Sequence, residues 1–222
     1  MCNLYSSTTA TEAMRQLFAI RPDHDHLGNH EPLTAIYPRY DAPVVRLDAE
    51  GEREAVMMHW GFLLPQTGKR GQPIMPKAVN NARDDKIRTS PFWRASFEQR
   101  RCLVPASSFC EAKGRNPATY VWFGMTSDDP AARPPFAFAG LWGHWRGRYR
   151  DGLAEIDTHT IITTSPNALV RPVHPDRMPV ILDPANYEQW LTGTPDEAVE
   201  LLEPCPAEKM QIVKEGSERE DG

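Results

Sequence analysis

Long hydrophobic runs are missing from this 222-residue sequence. No stretch of about 18 apolar residues is present, and a helix needs about that length to cross a bilayer. Residues 1–5 also do not resemble the start of a secretory signal peptide. We therefore expect a cytoplasmic protein without a membrane partner.

Cysteine is scarce, and its spacing does not match a metal site. The four cysteines are Cys2, Cys102, Cys110 and Cys205. Because no CxxC spacing occurs, the sequence predicts neither a zinc site nor a disulfide framework, and the thiols are expected to be reduced. Three histidines lie close together in segment 24–32, but the glycine and proline of that segment favour an exposed loop. We expect no metal and no cofactor.

Several catalytic signatures are absent as well, namely the Gly-rich phosphate loop, HExxH and GxSxG. The sequence has no internal repeat and no strand–helix–strand alternation, which argues against a parallel doubly wound sheet. Many short strand patterns with peripheral helices predict an α+β fold built on a barrel-like, mostly antiparallel sheet. We expect a single domain over residues 1–214 and an acidic, disordered tail over 215–222.

Local patterns give the expected elements. Apolar residues at helical spacing predict a first helix over 9–19, and the proline and glycine content of residues 64–77 indicates a loop. Ser90-Pro91 predicts the start of a helix that ends near residue 99. Further strands are expected at 101–105, 118–124, 136–142, 156–163, 178–182 and 210–213, and further helices at 184–191 and 195–202.

The formal net charge of −5 is unevenly distributed. Residues 183–222 contain 11 acidic and 3 basic residues, whereas residues 1–182 contain 19 acidic and 22 basic residues. Phosphate binding depends on Lys and Arg, and the body of the chain supplies them. An acidic C-terminal segment therefore does not exclude a nucleic-acid ligand bound elsewhere.

Among the residues that are present, Cys2 is notable because it directly follows Met1. Removal of Met1 would leave an α-amine and a thiol on one residue, with reference pKa values of about 8 and about 8.5. Such a 1,2-aminothiol condenses with an aldehyde, because the amine forms an imine and the thiol then closes a five-membered thiazolidine. On the dipeptide alone, a cysteine without any role is the favoured interpretation, since few cysteines are reactive.

Three further segments combine residue types that are suited to chemistry. Residues 80–83 (NNAR) would present amides and a guanidinium together, although they could also be ordinary turn residues. Glu111 is an acid in an apolar strand pair, where burial would raise its pKa into the range of a proton shuttle, unless it faces water at an edge. His174 lies between prolines and could transfer protons or be structural.

Arginines interleave with aromatic residues at 91–101 and 141–150. This composition is typical of single-strand binding surfaces and also of packed strands.

Five segments follow one another along the chain, namely Met1-Cys2, HWG (59–61), NAR (81–83), RCLVPASSFCE (101–111) and HPDRMPVIL (174–182). In this order they resemble the SRAP family, the SOS-response-associated peptidase domain that senses abasic sites in single-stranded DNA. The resemblance covers residues 1 to about 192, and the RCLVPA and RMPVIL segments are its most diagnostic parts. It implies the SRAP fold, a monomer, and single-stranded DNA with abasic sites as the partner of a cytoplasmic protein that joins the nucleoid when on DNA.

The resemblance also implies roles for individual residues. Cys2 would form a covalent thiazolidine crosslink with the abasic aldehyde, which is lyase-type crosslinking chemistry, alongside a possible self-cleaving peptidase activity. Asn81 would orient the Cys2 end, Glu111 would move protons and His174 would assist opening of the sugar ring. Phosphates would be held by Arg83, Arg94 and Arg177, and Trp60 would shape the DNA cleft.

The chain departs from the usual family pattern at Asn3-Leu4, where Gly-Arg is common, and by one additional residue between His174 and the Met-Pro pair. Two other functions stay open at this point. An N-terminal-nucleophile hydrolase or glutamine amidotransferase also exposes a leading cysteine. A noncovalent single-strand binder would have an incidental Cys2 and would bind DNA in a salt-sensitive manner.

Overall fold

The computed structural model describes residues 2–28 and 31–221. Met1, whose removal the sequence predicts, lies outside the described residues, as do Asn29, His30 and Gly222. The strands are β1 (Tyr5–Ser7), β2 (Leu33–Ile36), β3 (Asp41–Leu47), β4 (Arg53–Trp60), β5 (Phe62–Thr67), β6 (Pro73–Val79), β7 (Asn81–Arg83), β8 (Arg101–Ala106), β9 (Ser108–Lys113), β10 (Thr119–Met125), β11 (Phe136–Tyr149), β12 (Gly152–Thr164), β13 (Met178–Pro179), β14 (Ile181–Leu182) and β15 (Met210–Gly216). The α-helices are α1 (Thr11–Phe18), α2 (Arg94–Gln99), α3 (Tyr187–Thr192) and α4 (Pro195–Val199).

A closed ring of five strands forms the centre of the fold. Strand β12 pairs in parallel with β4, and the ring continues through β3, β8 and β11 by antiparallel pairs before β11 returns to β12. Short strands β7, β13 and β14 pair with β12 or β11. The predicted α+β fold with a barrel-like, mostly antiparallel sheet is therefore confirmed.

A second sheet of five antiparallel strands, in the order β15-β10-β9-β1-β2, packs beside the ring. Neighbouring residues of the ring strands contribute to two different hydrophobic clusters, as the alternation of side chains along a strand requires. Val45, for example, belongs to the cluster that includes the helices, whereas Val44 belongs to the cluster that includes Tyr5 and Phe109 of the second sheet. Where both faces are buried, as in β8 and the first six residues of β11, the strands are nearly continuous runs of apolar residues.

Residues 64–77, predicted to be a loop, mostly form an antiparallel hairpin of β5 and β6. The prediction is wrong because prolines are tolerated in a two-stranded sheet, where each strand has one free edge. Gly61 makes the turn from β4 into this hairpin at φ +126°, and a Cβ there would lie 2.8 Å from the Cβ of Ala78. This turn fixes Trp60 at the end of β4.

Other elements differ from the sequence prediction in their length. The helix expected from Ser90 begins only at Arg94, after a turn. Strands β11 and β12 form one long hairpin that includes most of the arginine and aromatic residues of segment 141–150. Among the described residues, no helix is both long and apolar enough to cross a bilayer.

The C-terminal segment also differs from the expected disordered tail. Strand β15 continues to Gly216, two residues beyond the predicted domain boundary. Asp221 is only 2% exposed, because it forms an ion pair with Arg133 and accepts a hydrogen bond from Ser108. The acidic composition suggested solvation, but these partners come from distant parts of the chain, which composition does not reveal.

Candidate active site

Cys2 is fully buried at the start of the described chain. Its Sγ lies 3.7 Å from the carbonyl oxygen of Leu4, and burial raises the pKa of the thiol well above its usual range. The backbone carbonyl of Cys2 accepts hydrogen bonds from Nδ2 of Asn81 at 2.8 Å and from Nδ2 of Asn80 at 3.1 Å. Two amides therefore fix the position of this residue.

Both asparagines are held by the strands around them. Asn81 is opposite Ile161 where β7 runs parallel to β12. The carbonyl of Asn80 accepts hydrogen bonds from Nε1 of Trp60 at 2.9 Å and from the backbone amide of Ile161 at 3.2 Å. Nδ2 of Asn80 also donates to Oδ1 of Asn3 at 2.9 Å. The sequence analysis included Asn80 among the amides of residues 80–83 but gave an individual role only to Asn81.

Trp60 is completely buried, so no face of its ring is available to stack on a base. It packs edge-on against Tyr5, with 4.9 Å between ring centroids, and parallel to His159 at 6.5 Å. Burial lowers the pKa of His159 to about 3, so this imidazole is neutral. The contact of Trp60 with the residues around Cys2 is the hydrogen bond from its Nε1 to the carbonyl of Asn80. Its predicted role in shaping a DNA cleft stays a prediction.

Glu111 lies on β9, which pairs with β1, the strand that follows Cys2. The register places Phe109 opposite Tyr5, and the amide of Cys110 donates to the carbonyl of Leu4 at 2.9 Å. Glu111 is 5% exposed, and burial raises the pKa of its carboxyl group to about 7. The direction agrees with the sequence prediction, which rested on the apolar neighbours of this acid.

His174 lies in the turns between β12 and β13, and burial lowers its pKa. Its Nδ1 accepts a hydrogen bond from the backbone amide of Arg177 at 3.2 Å. In the neutral ring the proton is therefore on Nε2. His174 borders a surface depression together with Arg83, Asp176 and Arg177.

The predicted phosphate-binding arginines are in different environments. Arg83 is half exposed and pairs with Asp85 at 2.8 Å, a surface ion pair that a phosphate could replace. The side chain of Arg177 is only 12% exposed and is bonded to Asp84 at 2.6 Å and to the carbonyl of Thr163. Arg177 therefore connects its own segment to Asp84 and to β12, and little of its side chain faces solvent.

Arg94 is exposed at the first turn of α2. Among the described residues, no hydrogen bond or ion pair joins its side chain to the residues around Cys2. Its neighbour Trp93 borders a depression with Asn81, Arg83 and Lys86. Because Arg83 borders this depression and also that of His174, the two are adjoining. The structure therefore brings Asn81, Arg83 and His174 to one side of the molecule and adds Lys86 to the set.

The arrangement as a whole combines a buried thiol, two amides, a carboxyl group whose pKa burial raises to about 7 and an imidazole whose pKa burial lowers. Residues 2–28 and 31–221 contain no group of three His, Cys, Asp or Glu side chains that could hold a metal ion. The side chains in this region are suited to proton transfer and to fixing a chain end.

Comparisons with known proteins identify the family of this chain. The model of the SOS response associated peptidase (SRAP) family matches residues 1–217. Among curated relatives, the abasic site processing protein YoqW of Bacillus subtilis is 32% identical over 193 residues, covering 86% of this chain and 81% of the relative. The abasic site processing protein YoaM of the same organism is 31% identical over 86% of this chain and 80% of its own length.

Solved structures share the fold of this chain. The crystal structure of a protein from Bordetella bronchiseptica superimposes with a TM-score of 0.73 at 27% identity, covering 95% of this chain and 97% of the other. A crystal structure from Bacteroides thetaiotaomicron shares the fold at 22% identity, with a TM-score of 0.71 and coverage of 95% and 90%. The chain belongs to the SOS response associated peptidase (SRAP) family.

Proposed function

We propose that this protein processes abasic sites in single-stranded DNA and that, after loss of Met1, Cys2 forms a covalent thiazolidine with the abasic sugar. The observation that carries the proposal is the double amide clamp of Asn80 and Asn81 on the carbonyl of Cys2. A side-chain nucleophile would not need its own backbone fixed in this way. A terminal amine does, because its attack angle depends on the position of the residue that bears it.

The chemistry is a condensation that releases one water. The α-amine of Cys2 adds to the C1′ aldehyde, the carbinolamine loses hydroxide as water, and the thiol sulfur adds to the imine carbon. Glu111, with a pKa of about 7, can donate a proton to the departing hydroxyl group and then accept the thiol proton. Because burial keeps the Cys2 thiol protonated, a base of this kind is required for the ring closure.

His174 is proposed to act one step earlier, on the closed sugar. A closed sugar opens when the C1′ hydroxyl loses a proton, the C1′–O4′ bond breaks and O4′ gains a proton, so no net proton is consumed. Nδ1 of His174 accepts a hydrogen bond from the amide of Arg177, so its Nε2–H can donate a hydrogen bond to O4′ and stabilise the charge that develops there, while water carries the proton from the hydroxyl group to O4′. Asn81 would then orient the Cys2 end beside the opened sugar.

DNA binding is proposed to depend on the backbone. Arg83 and Lys86 border the depressions on the side of Asn81, and an incoming phosphate could replace Asp85 as the partner of Arg83. Arg94 and Arg177 would contribute at a longer distance, through the charge they add to this surface. Such contacts do not read base edges, so little sequence preference is expected.

Intact-mass measurement before and after incubation with an abasic-site oligonucleotide tests the proposal. The expected protein mass lacks Met1, and the expected adduct equals protein plus oligonucleotide minus one water, without added reductant. The Cys2→Ala variant should form no such adduct, and Cys205→Ala, which alters another buried cysteine, should react normally. Absence of any adduct from the unaltered protein would refute the crosslinking proposal.

Assays of the same protein distinguish the proposed function from the two alternatives. Ammonia release from glutamine would indicate an amidotransferase. Equal affinity for intact and abasic strands, unaffected by Cys2→Ala and without an adduct, would indicate a noncovalent binder.

A further inference from the structure

Residues 217–221, which we call the C-terminal strap, cross the second sheet from one edge strand to the other. The strap leaves β15 at Gly216, and Nε1 of Trp122 on β10 donates to the carbonyl of Glu218 at 3.3 Å. At the far end, the amide of Asp221 donates to the carbonyl of Thr34 on β2 at 3.1 Å. The strap therefore lies over β10, β9 and β1, the last of which follows Cys2.

The end of the strap is firmly anchored. The buried carboxylate of Asp221 accepts hydrogen bonds from Nε of Arg133 at 2.8 Å and from Oγ of Ser108 at 2.6 Å. Oγ of Ser108 also lies 2.7 Å from Oγ of Ser6 on β1. This network ties the strap to the strand that positions the first residues of the chain.

Between these anchors the strap places one arginine beside the proposed active site. Arg219 is exposed, and its guanidinium carbon lies 4.7 Å from the centroid of the Tyr120 ring. It borders a depression that also includes Asn3 and Glu111. The neighbouring Glu218 forms an ion pair with Lys214 at 2.6 Å, whereas no ion pair within residues 2–28 and 31–221 involves Arg219.

We propose that Arg219 is a further DNA-binding residue, which holds a backbone phosphate next to the abasic sugar, and that the C-terminal strap positions it. This inference rests on the proposed function. Stacking on Tyr120 uses the face of the guanidinium and leaves its N–H edges for a phosphate, the bidentate geometry that arginine favours. The ring also restricts the side chain, so less conformational entropy is lost when the phosphate binds.

The first test measures binding to undamaged single-stranded DNA as a function of salt. Loss of one phosphate contact should reduce the slope of log K against log salt by about 0.7 and weaken binding several-fold at low salt. We expect the full reduction in slope and affinity for Arg219→Gln and a smaller reduction for Arg219→Lys. The control Arg21→Gln should change neither quantity. Arg21 lies next to Glu52, at the opposite end of β4 from Trp60. An unchanged slope for Arg219→Gln would overturn the inference.

The second test compares two aldehydes. With an abasic oligonucleotide below saturation, Arg219→Gln should form the adduct about 3- to 10-fold more slowly, in line with a charge-assisted contact. Free 2-deoxyribose carries no phosphate, so variant and parent should react with it at equal rates. Equal slowing with both aldehydes would mean that Arg219 acts on the chemistry and would also overturn the inference. If the parent forms no adduct at all, the proposed function fails, but the salt dependence still decides whether Arg219 binds phosphate.

Asp221→Asn tests the positioning by the strap. Weakening of the contacts to Arg133 and Ser108 should reduce the salt slope as Arg219→Gln does, and the double variant should show no additional loss. Additive losses would show that the strap does not act through Arg219.

Discussion

Asn81 donates a hydrogen bond of 2.8 Å to the backbone carbonyl of Cys2, from which it is separated by 79 positions in the chain. The bond joins β7, which is fixed on the central ring, to the residue that precedes the second sheet. The central ring therefore determines the position of Cys2. Substitution of Asn81 should make this position less fixed.

Asn81→Asp should slow adduct formation by about 10-fold, because it replaces a buried donor by an acceptor that faces the carbonyl of Cys2 and such a loss costs about 1–3 kcal/mol. The rate is measured as SDS-stable adduct against time. Asn186→Asp, on a segment remote from Cys2, serves as the matched control. An equal rate for Asn81→Asp and the parent would show that the amide clamp is dispensable.

Glu111→Gln should slow adduct formation and leave the affinity for intact single strands unchanged. The carboxyl group must donate and then accept a proton, and an amide can do neither at neutral pH. The parent rate should show a pH dependence centred near 7 that the variant lacks. If the variant retained the same pH profile, the proton transfer would have to be assigned elsewhere.

Glu111 should also make stability depend on pH. Its folded pKa of about 7 is above the unfolded value of 4.5, so the folded state binds more protons between these values and stability is lost as the pH rises through them. Glu111→Gln removes this loss. Between pH 4.5 and 8, the free energy of unfolding of the variant should therefore rise by about 3 kcal/mol relative to that of the parent. Urea unfolding at both pH values measures the difference, with Glu98→Gln at an exposed site as control.

His159 should make the free energy of unfolding depend on pH in the opposite direction, with a loss of stability in acid. Its folded pKa of about 3 is below the unfolded value of 6.5, so stability is complete above pH 6.5 and is lost as the pH falls. At pH 5 the loss should be about 2 kcal/mol. His159→Phe, which keeps a ring against Trp60, should remove this part of the acid sensitivity in urea unfolding, whereas the exposed His144→Phe should not.

Substitutions of Arg83 and Arg177 should affect different properties, DNA binding for Arg83 and the free energy of unfolding for Arg177. Arg83→Gln removes an exposed cation, so it should weaken single-strand binding and lower its salt dependence without affecting unfolding. Arg177→Gln leaves Asp84 without its partner at a mostly buried position, and should cost about 1–3 kcal/mol of unfolding free energy. Salt-dependent binding and urea unfolding of both variants give the comparison. A destabilised Arg83→Gln would contradict the assignment.

The sequence predicted those parts of the site that depend on local composition. An acid surrounded by apolar residues was expected to have a raised pKa, and Glu111 does. The α+β class followed from many short strand patterns without alternation, and the ring of strands agrees with it. These properties are set by neighbours in the chain, which the sequence shows directly.

Other parts depend on contacts between distant segments and were not predictable in this way. Asn80 gains its importance from Trp60 and Cys2, which are 20 and 78 positions away. The burial of Trp60, and with it the loss of any stacking surface, follows from its contacts with Tyr5 and His159. Asp221 looked like part of a solvated tail because its partner Arg133 is 88 positions away.

The contact between Asp221 and Thr34 also bears on self-association. Strand β2 is at one edge of the second sheet, and an edge strand offers its carbonyl groups to any other extended chain. The backbone amide of Asp221 already occupies one of them. Loss of the last residues to a protease would therefore open an edge at which two molecules could join their sheets, so trimmed preparations should be more prone to aggregate than intact ones.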